Sequence, residues 1–419
     1  MLPIVTLVLF LVILISAAPK EISSRQRNFS WGSDIVRGLN IGGWLVLEPW
    51  ITPSIFDNLD QSLGIKDEFT LGQKLKSSTA HEILKRHWDS WVTFQDFQRI
   101  SDVGFNTVRI PIGYWAYTKL EEEPYIQGAA PYLDSAINWA RLTGLKVWID
   151  LHGAPGSQNG FDNSGHFLSK PLWQSSDKVN VTLTVLHDIT VKYTQPEYQD
   201  VVVGIELLNE PLGPELSLDS LKKFYRDAFN DIRAISQTTV ILHDSFMQPK
   251  FWNGFLSVSD NNSHGVVIDH HEYQVFTNEL VALQPHQHQE LACNNAVSYS
   301  EGSDKWIVVG EWTAAMTDCA VWLNGYHVGS RYDGSYPGSS YIGSCEDKKE
   351  IKNWNETYRR HMRSYIEAQI FAFETYTQGW IFWNFKTQGA HEWDAFALLD
   401  AGIFPQPLEG AKYSTVCPK

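Results

Sequence analysis

Eight short apolar runs recur along the chain, each bounded by polar or glycine-containing segments, and each reads as a β-strand. They span Arg37 to Val46, Thr107 to Ile112, Lys146 to His152, Val201 to Glu210, Val240 to Ser245, Val266 to Tyr273, Trp306 to Trp312 and Gly379 to Lys386. Several lack period-two alternation, as strands covered on both faces of a parallel sheet do. Between the runs, apolar positions recur every three or four residues. Behind Ser217 as N-cap, Leu221, Phe224, Ala228, Ile232 and Ile235 make one helical stripe, and a longer pattern over Asn353 to Tyr376 precedes the last strand. Eight strand-then-helix units predict an α/β fold, a single-domain (β/α)8 TIM barrel with extended loops at its C-terminal face. The segment after His243 offers only a short helix, so the fifth and sixth units are the least regular.

In such a barrel the reactive groups stand at the C-terminal ends of the strands. Glu210 closes the fourth run, in LLNEPLG, and Glu311 closes the seventh, in VVGEWT. A carboxylate at the end of a buried strand is costly unless it is solvated, paired or used in chemistry. Two of them facing each other across a barrel mouth suggest glycoside hydrolysis. One protonates the leaving oxygen while the other attacks the anomeric carbon or activates water, and their separation decides which. Arg109, His152, Asn209, His271, Tyr273 and Trp383 fall at strand ends too, where a sugar would need donors and acceptors.

Composition narrows the substrate. The net charge of −15 argues against a nucleic-acid backbone or an anionic membrane surface as partner. Aromatics reach 13% with 17 tryptophans, more than a core of this size requires, which suits a neutral ligand with apolar faces. Residues 1–18 are an apolar run ending in small residues, read as a signal peptide cleaved near Ala17 or Ala18. Its n-region lacks Lys and Arg, which leaves an uncleaved anchor as the alternative. No second apolar run follows, so no stable membrane insertion is expected. Residues 19–36 then form an N-terminal segment and 37–419 the barrel domain, a secreted protein of the extracellular space or cell wall, with monomer as the default. Sequons at Asn28, Asn180, Asn261 and Asn355 agree with that route. Cys293, Cys319, Cys345 and Cys417 read as two disulfides; of three connectivities we prefer Cys293 with Cys417 and Cys319 with Cys345.

The stretches NIGGWLVLEPW, DLHGAPGSQNGFDNSG, ELLNEPLG, HHEYQVF, GEWT and WIFWNFKTQ together resemble the secreted fungal exo-β-1,3-glucanases of glycoside hydrolase family 5, from Arg37 to the C-terminus. N-E-P alone marks the wider clan of retaining barrel glycosidases; the longer stretches are far more specific. The resemblance implies that Glu210 is the acid/base and Glu311 the nucleophile. It implies that Asn209 bonds the sugar 2-hydroxyl, that Arg109 keeps Glu311 ionised, and that Tyr273 donates a hydrogen bond to it. Glu210, lacking such a partner, is expected to keep a raised pKa and remain protonated. Glu48, His152, Asn163, His271 and Trp383 would line the non-reducing-end glucose subsite, with Asp162 close by and Phe161 and Phe276 clamping the next glucose.

A pocket closed at one end admits only a chain terminus, the physical meaning of exo action, and Gln61 to His87 and Gly325 to Asp347 are the loops expected to close it. Transglycosylation is a further expectation. Sister groups on the same scaffold cut β-1,6-glucan, cellulose, mannan or glucosylated lipids. The residues alone leave two other readings. One is a metal-dependent hydrolase using His152, His243, Asp244, Asp269, His270 and His271, although the first strand carries no H-x-H, so no metal or cofactor is expected. The other is a silent wall-binding glycoprotein, against which both carboxylates stand.

Overall fold

A computed structural model describes residues 29–413 and Cys417. The expected signal peptide, the start of the N-terminal segment and the sequon residue Asn28 lie outside the described residues. Eight parallel strands close into a barrel in the order of the sequence, each pairing with its neighbours and the eighth with the first. They are β1 Val36–Asn40, β2 Thr107–Gly113, β3 Lys146–Gly153, β4 Val202–Glu206, β5 Thr239–His243, β6 Val266–Glu272, β7 Trp306–Trp312 and β8 Gly379–Phe382. All eight expected strands are present, so the sequence reading of a (β/α)8 barrel holds.

Three runs were read too long by four residues or more, and those of β5 and β6 by two and one. β1 stops at Asn40, β4 at Glu206 and β8 at Phe382, and the residues beyond them turn over the barrel mouth. Glu210 therefore stands four residues past its strand, although Leu207 and Asn209 still donate to neighbouring carbonyls, Ile241 and Leu151. The fifth unit carries only the short 3-10 turn Pro249–Trp252 after β5, whereas the sixth carries the full helix Pro285–Ser300. The helix Leu218–Ile235 begins at Ser217, whose hydroxyl accepts from the Ser220 amide, and buries Leu221, Phe224, Ala228 and Ile232 against the sheet. The helix Glu356–Tyr376 is capped in the same way by Asn355.

The barrel lumen has two levels. At its floor, Val36, Trp148, Ile241, Val267, Val308 and Ile381 form one apolar plug, with Phe29 and Trp31 packed beneath it. Outward neighbours such as Val108, Ile110, Ile149, Leu151, Ile205 and Ile268 join the layer shared with the helices. Above the floor the inward positions turn polar, with Asn40, Arg109, Asp150, Glu206 and Asp269 fully buried. Strands that look uniformly apolar thus alternate after all, because the inward residues of the upper level are the charged ones.

Both preferred disulfides are present. Cys293–Cys417 ties the helix Pro285–Ser300 to the chain end, and Cys319–Cys345 closes a loop after β7, each with Cα atoms 5.2 Å apart. Among the described residues no helix is long and apolar enough to cross a membrane.

Candidate active site

A cavity of about 460 Å³ opens at the C-terminal face of the barrel. Its wall includes Glu48, Phe161, Asp162, Asn163, Glu210, Tyr273, Phe276, Glu311 and Trp383, nine of the residues singled out in the sequence. Arg109, His152, Asn209 and His271 do not line it. They are buried behind the wall, His152 stacking against Trp383, which does line the cavity.

The local backbone explains why the two glutamates point where they do. Glu210 has φ of 46°, in the left-handed region that residues other than glycine seldom enter, although Pro211 favours an extended predecessor. Such strain costs on the order of 1–3 kcal/mol and persists only where surrounding contacts over-determine it. Those contacts are hydrogen bonds to both Glu210 oxygens, from His271 Nδ1 at 2.9 Å and from Asn163 Nδ2 at 2.9 Å. Glu311 is aimed by a register shift. His270 pairs with Val309 and His271 with Glu311, so Gly310 is the extra residue in the β6–β7 ladder. Only glycine fits there, because a Cβ at Gly310 would lie 2.0 Å from Asp269 Oδ1, which accepts the Gly310 amide at 2.9 Å.

Arg109 organises the layer below. Its guanidinium reaches Glu311 at 2.8 Å, Glu206 at 2.8 Å and Asp150 at 3.1 Å, and donates to Asn209 Oδ1 at 2.8 Å and Asn40 Oδ1 at 3.1 Å. That fork is what a planar, multi-donor cation provides and a lysine does not. By taking the Asn209 oxygen, Arg109 turns the Asn209 amide toward His152 Nε2, 3.5 Å away. Tyr273 donates its hydroxyl to Glu311 Oε2 at 2.7 Å. His152 gives Nδ1 to Asp150 at 2.6 Å and stacks against Trp383 with ring centroids 5.7 Å apart.

Protonation departs from the sequence expectation. Glu210 does have a charged partner. Burial alone would raise its carboxyl, but the hydrogen bond and charge of His271 outweigh that and hold it down to about 2. His271, whose own charge burial opposes, is raised well above its ordinary range by Glu311 and Asp269. Glu311 is shifted upward by burial, which His271 and Arg109 offset only in part. Burial and the neighbouring Asp162 likewise drive Glu48 well up, and Asp162 itself is pushed up to about 7. The reason for the reversal is His271: a histidine two residues before the tyrosine reads in sequence as one more sugar ligand, and only the fold places it against Glu210.

Two groups, Glu210 with His243 and His271, and Glu206 with Asp269 and His271, bring possible metal-ligand atoms within 4.8 Å of one another. Both nitrogens of His271 are held by carboxylates, Glu210 and Asp269, and a protonated imidazole has no lone pair to offer a metal. The donor set fits an ion-pair network rather than a cation site.

The family model described as Cellulase (glycosyl hydrolase family 5) matches residues 73–326. The chain belongs to glycosyl hydrolase family 5. Among curated family relatives, the glucan 1,3-beta-glucosidase of Candida oleophila is 45% identical over 420 residues, covering 98% of each chain. The glucan 1,3-beta-glucosidase I/II of Saccharomyces cerevisiae is 45% identical over 413 residues, covering 95% of this chain and 91% of its own. Among solved structures, rutinosidase from Aspergillus niger superposes with a TM-score of 0.71 at 19% identity, over 90% of this chain and 99% of that one, which shows the shared fold.

The wall of this family 5 cavity contains residues that sequence reasoning passed over. Trp50 donates to Glu48 at 2.9 Å, and Phe167, Phe246 and Trp393 add aromatic surface. Leu323, Asn324, Gly325, Arg331 and Tyr336 come from the loop after β7, so the Gly325 to Asp347 segment contributes directly. The Gln61 to His87 segment does not line the cavity. It is largely helical, as Glu68–Lys74 and Ser77–Trp91, and it braces the other loop, with Gln61 accepting from the Tyr326 hydroxyl at 2.6 Å. The brace between the loops was invisible in sequence because it joins segments 265 residues apart in the chain.

Proposed function

We propose that this family 5 chain is a retaining exo-β-1,3-glucanase that releases glucose from the non-reducing ends of β-1,3-glucan. The observation that carries the stereochemistry is the position of one nitrogen. Nδ1 of His271 lies 2.9 Å from Glu210 Oε1 and 3.4 Å from Glu311 Oε2, so the sum of those distances, about 6.3 Å, is the most by which these oxygens can be separated. Retaining pairs stand about 5–5.5 Å apart and inverting pairs about 6.5–9.5 Å, the latter leaving room for a water between sugar and base.

In this reading Glu311 attacks the anomeric carbon and Glu210 protonates the departing glycosidic oxygen. The resulting glycosyl-enzyme is then hydrolysed by water that Glu210 deprotonates. Arg109 and Tyr273, both bonded to Glu311, orient it for attack. The proton Glu210 needs is held within its hydrogen-bonded pair with His271, which titrates as a unit and passes the proton across when a glycosidic oxygen arrives. A bond from the Asn209 amide to the sugar 2-hydroxyl, which would strengthen as the oxocarbenium-like transition state forms, rests on the resemblance to family 5, since in the structure that amide faces His152 Nε2 at 3.5 Å behind the wall. Phe161 and Phe276, each 41% exposed, would give the flat faces on which the next glucose stacks. The loop from Leu323 to Tyr336 would wall off further subsites and so impose exo action. The linkage rests on the relatives' activity, and transfer of the glucosyl group to a second sugar follows from the covalent intermediate.

Secretion, with a signal peptide over residues 1–18 and the barrel over 37–419, is supported by the two disulfides. Asn180, Asn261 and Asn355 are exposed and available as glycan acceptors. The test is proton NMR of a soluble β-1,3-glucan with purified protein. β-Glucose appearing before mutarotation is expected; α-glucose first would sink the retaining pair, and internal fragments without glucose would sink exo action.

A further inference from the structure

His243 ends β5 with its side chain fully buried. Its Nδ1 accepts the Ser245 amide at 2.9 Å, and that bond leaves the proton of the neutral ring on Nε2. Nε2 has no hydrogen-bond partner, although it is shielded from solvent. A buried N–H without an acceptor is rare and costly, and where one persists it calls for a function or a bound water. The surroundings say which acceptor is nearest to hand. One ring nitrogen of His243 lies within 4.8 Å of a Glu210 oxygen and of a His271 nitrogen, so the ring borders that pair, and Nε2 is its nitrogen without a partner. The His243 ring stands edge-on to His271, centroids 4.4 Å apart.

We infer that His243 is a positioning residue for the proposed reaction, offering an Nε2–H, directly or through one ordered water, to the Glu210 carboxylate whenever Glu210 must act as base. The inference rests on the roles assigned to Glu210 and Glu311 above. In the second half of that reaction Glu210 takes a proton from water, so the direction in which its carboxylate oxygens are held matters, and a donor beside them fixes that direction. A neutral donor does so without adding a second cation beside His271. The ring stays neutral because burial and the His271 charge lower its pKa to about 4, while Asp244, Glu210 and Asp269 pull the other way. Asp244 is turned away to His270, whose Nδ1 it meets at 2.7 Å, and the Tyr225 hydroxyl donates to the His243 carbonyl rather than to the ring. The donor is thus kept for the Glu210 side by the partners of every other group around it.

The test compares wild type, His243→Phe, which keeps a ring without a donor, and His243→Gln, which keeps a donor. The substrate is an aryl β-glucoside whose dinitrophenolate leaves without acid assistance, so that kcat reports deglycosylation. We expect His243→Phe to lower kcat about tenfold with little change in the first step. We also expect the alkaline limb of kcat/KM on laminaribiose to rise by about one pH unit, the size of one lost hydrogen bond to a charged group. His243→Gln should recover most of both effects. An unchanged kcat, an unmoved alkaline limb, or equal loss in both variants would overturn the inference. Should His243→Phe fail to fold, His243→Met lacks the donor as well and carries the same comparison. If wild type itself forms no β-glucosyl product, the proposed function fails instead, and the two failures are distinct.

Discussion

His271 donates from Nδ1 to Oε1 of Glu210 at 2.9 Å, and this bond sets how the molecule responds to pH. Glu210, held down to about 2 against the cost of burial, contributes stability that is fully present above the ordinary carboxylate range and is lost as pH falls through about 2. Glu68, Asp162 and Glu392 run the other way: burial raises each to about 7, so their contribution is present below the ordinary carboxylate range and lost as pH rises through about 7. His271, raised by Glu311 and Asp269 against burial, contributes below about 6.5 and loses that contribution as pH climbs through its higher folded value. Melting temperature should therefore peak at weakly acidic pH and decline before neutrality. Calorimetry from about pH 3 to about pH 9 checks this, and a plateau that extends to pH 8 would contradict it.

Replacing Glu311 with Gln should abolish glucan hydrolysis, by about 10⁴-fold or more, since an amide cannot serve as the attacking carboxylate. Glu210→Gln should differ in kind. It should lose activity on glucan while still releasing dinitrophenol in a first-turnover burst from an activated aryl glucoside. Identical behaviour of the two variants on that substrate would argue against the division of roles.

Tyr273→Phe removes the hydroxyl that donates to Glu311 Oε2 at 2.7 Å. Loss of a hydrogen bond to a charged group is worth about 1.5–3 kcal/mol, so kcat/KM should fall by about 10- to 150-fold with the melting temperature little changed. Steady-state kinetics beside a thermal melt separate this from simple destabilisation.

Arg109→Lys should cost more than charge conservation suggests. The fork to Glu311, Glu206, Asp150, Asn209 and Asn40 cannot be reproduced by an ammonium, and buried carboxylates left unpaired cost about 3–5 kcal/mol. Both stability and activity are expected to drop together, measured by denaturant unfolding and glucose release.

Opening Cys319–Cys345 with a double serine variant frees a loop closed over a sequence separation of 26 and should cost about 3 kcal/mol. The same loop supplies Leu323, Asn324, Arg331 and Tyr336 to the cavity wall. Weaker binding of short β-1,3-glucan oligosaccharides and the appearance of products longer than glucose are therefore expected in chromatography of the digest. A destabilised variant that still yields glucose alone would separate the loop's stabilising role from its walling role.

The sequence by itself determined the strand count, the barrel and the two glutamates, because these depend on local pattern: apolar runs, helical periodicity and short motifs around a carboxylate. It overran the strands at Asn40, Glu206 and Phe382, since a run can stay apolar after its ladder ends, and the turn that lifts Glu210 past β4 leaves no periodic mark. Only the tertiary structure decided which residues face the cavity and which stand beneath it, as His152 and His271 do. It alone set the protonation, because Glu210 and His271 come from different strands and the pKa of each depends on a distance that no spacing in the chain encodes. The Gly310 bulge, which aims Glu311 past Asp269, belongs to the same class. Local chemistry is written residue by residue, whereas fields, separations and cavity walls arise from segments that meet only when the barrel closes.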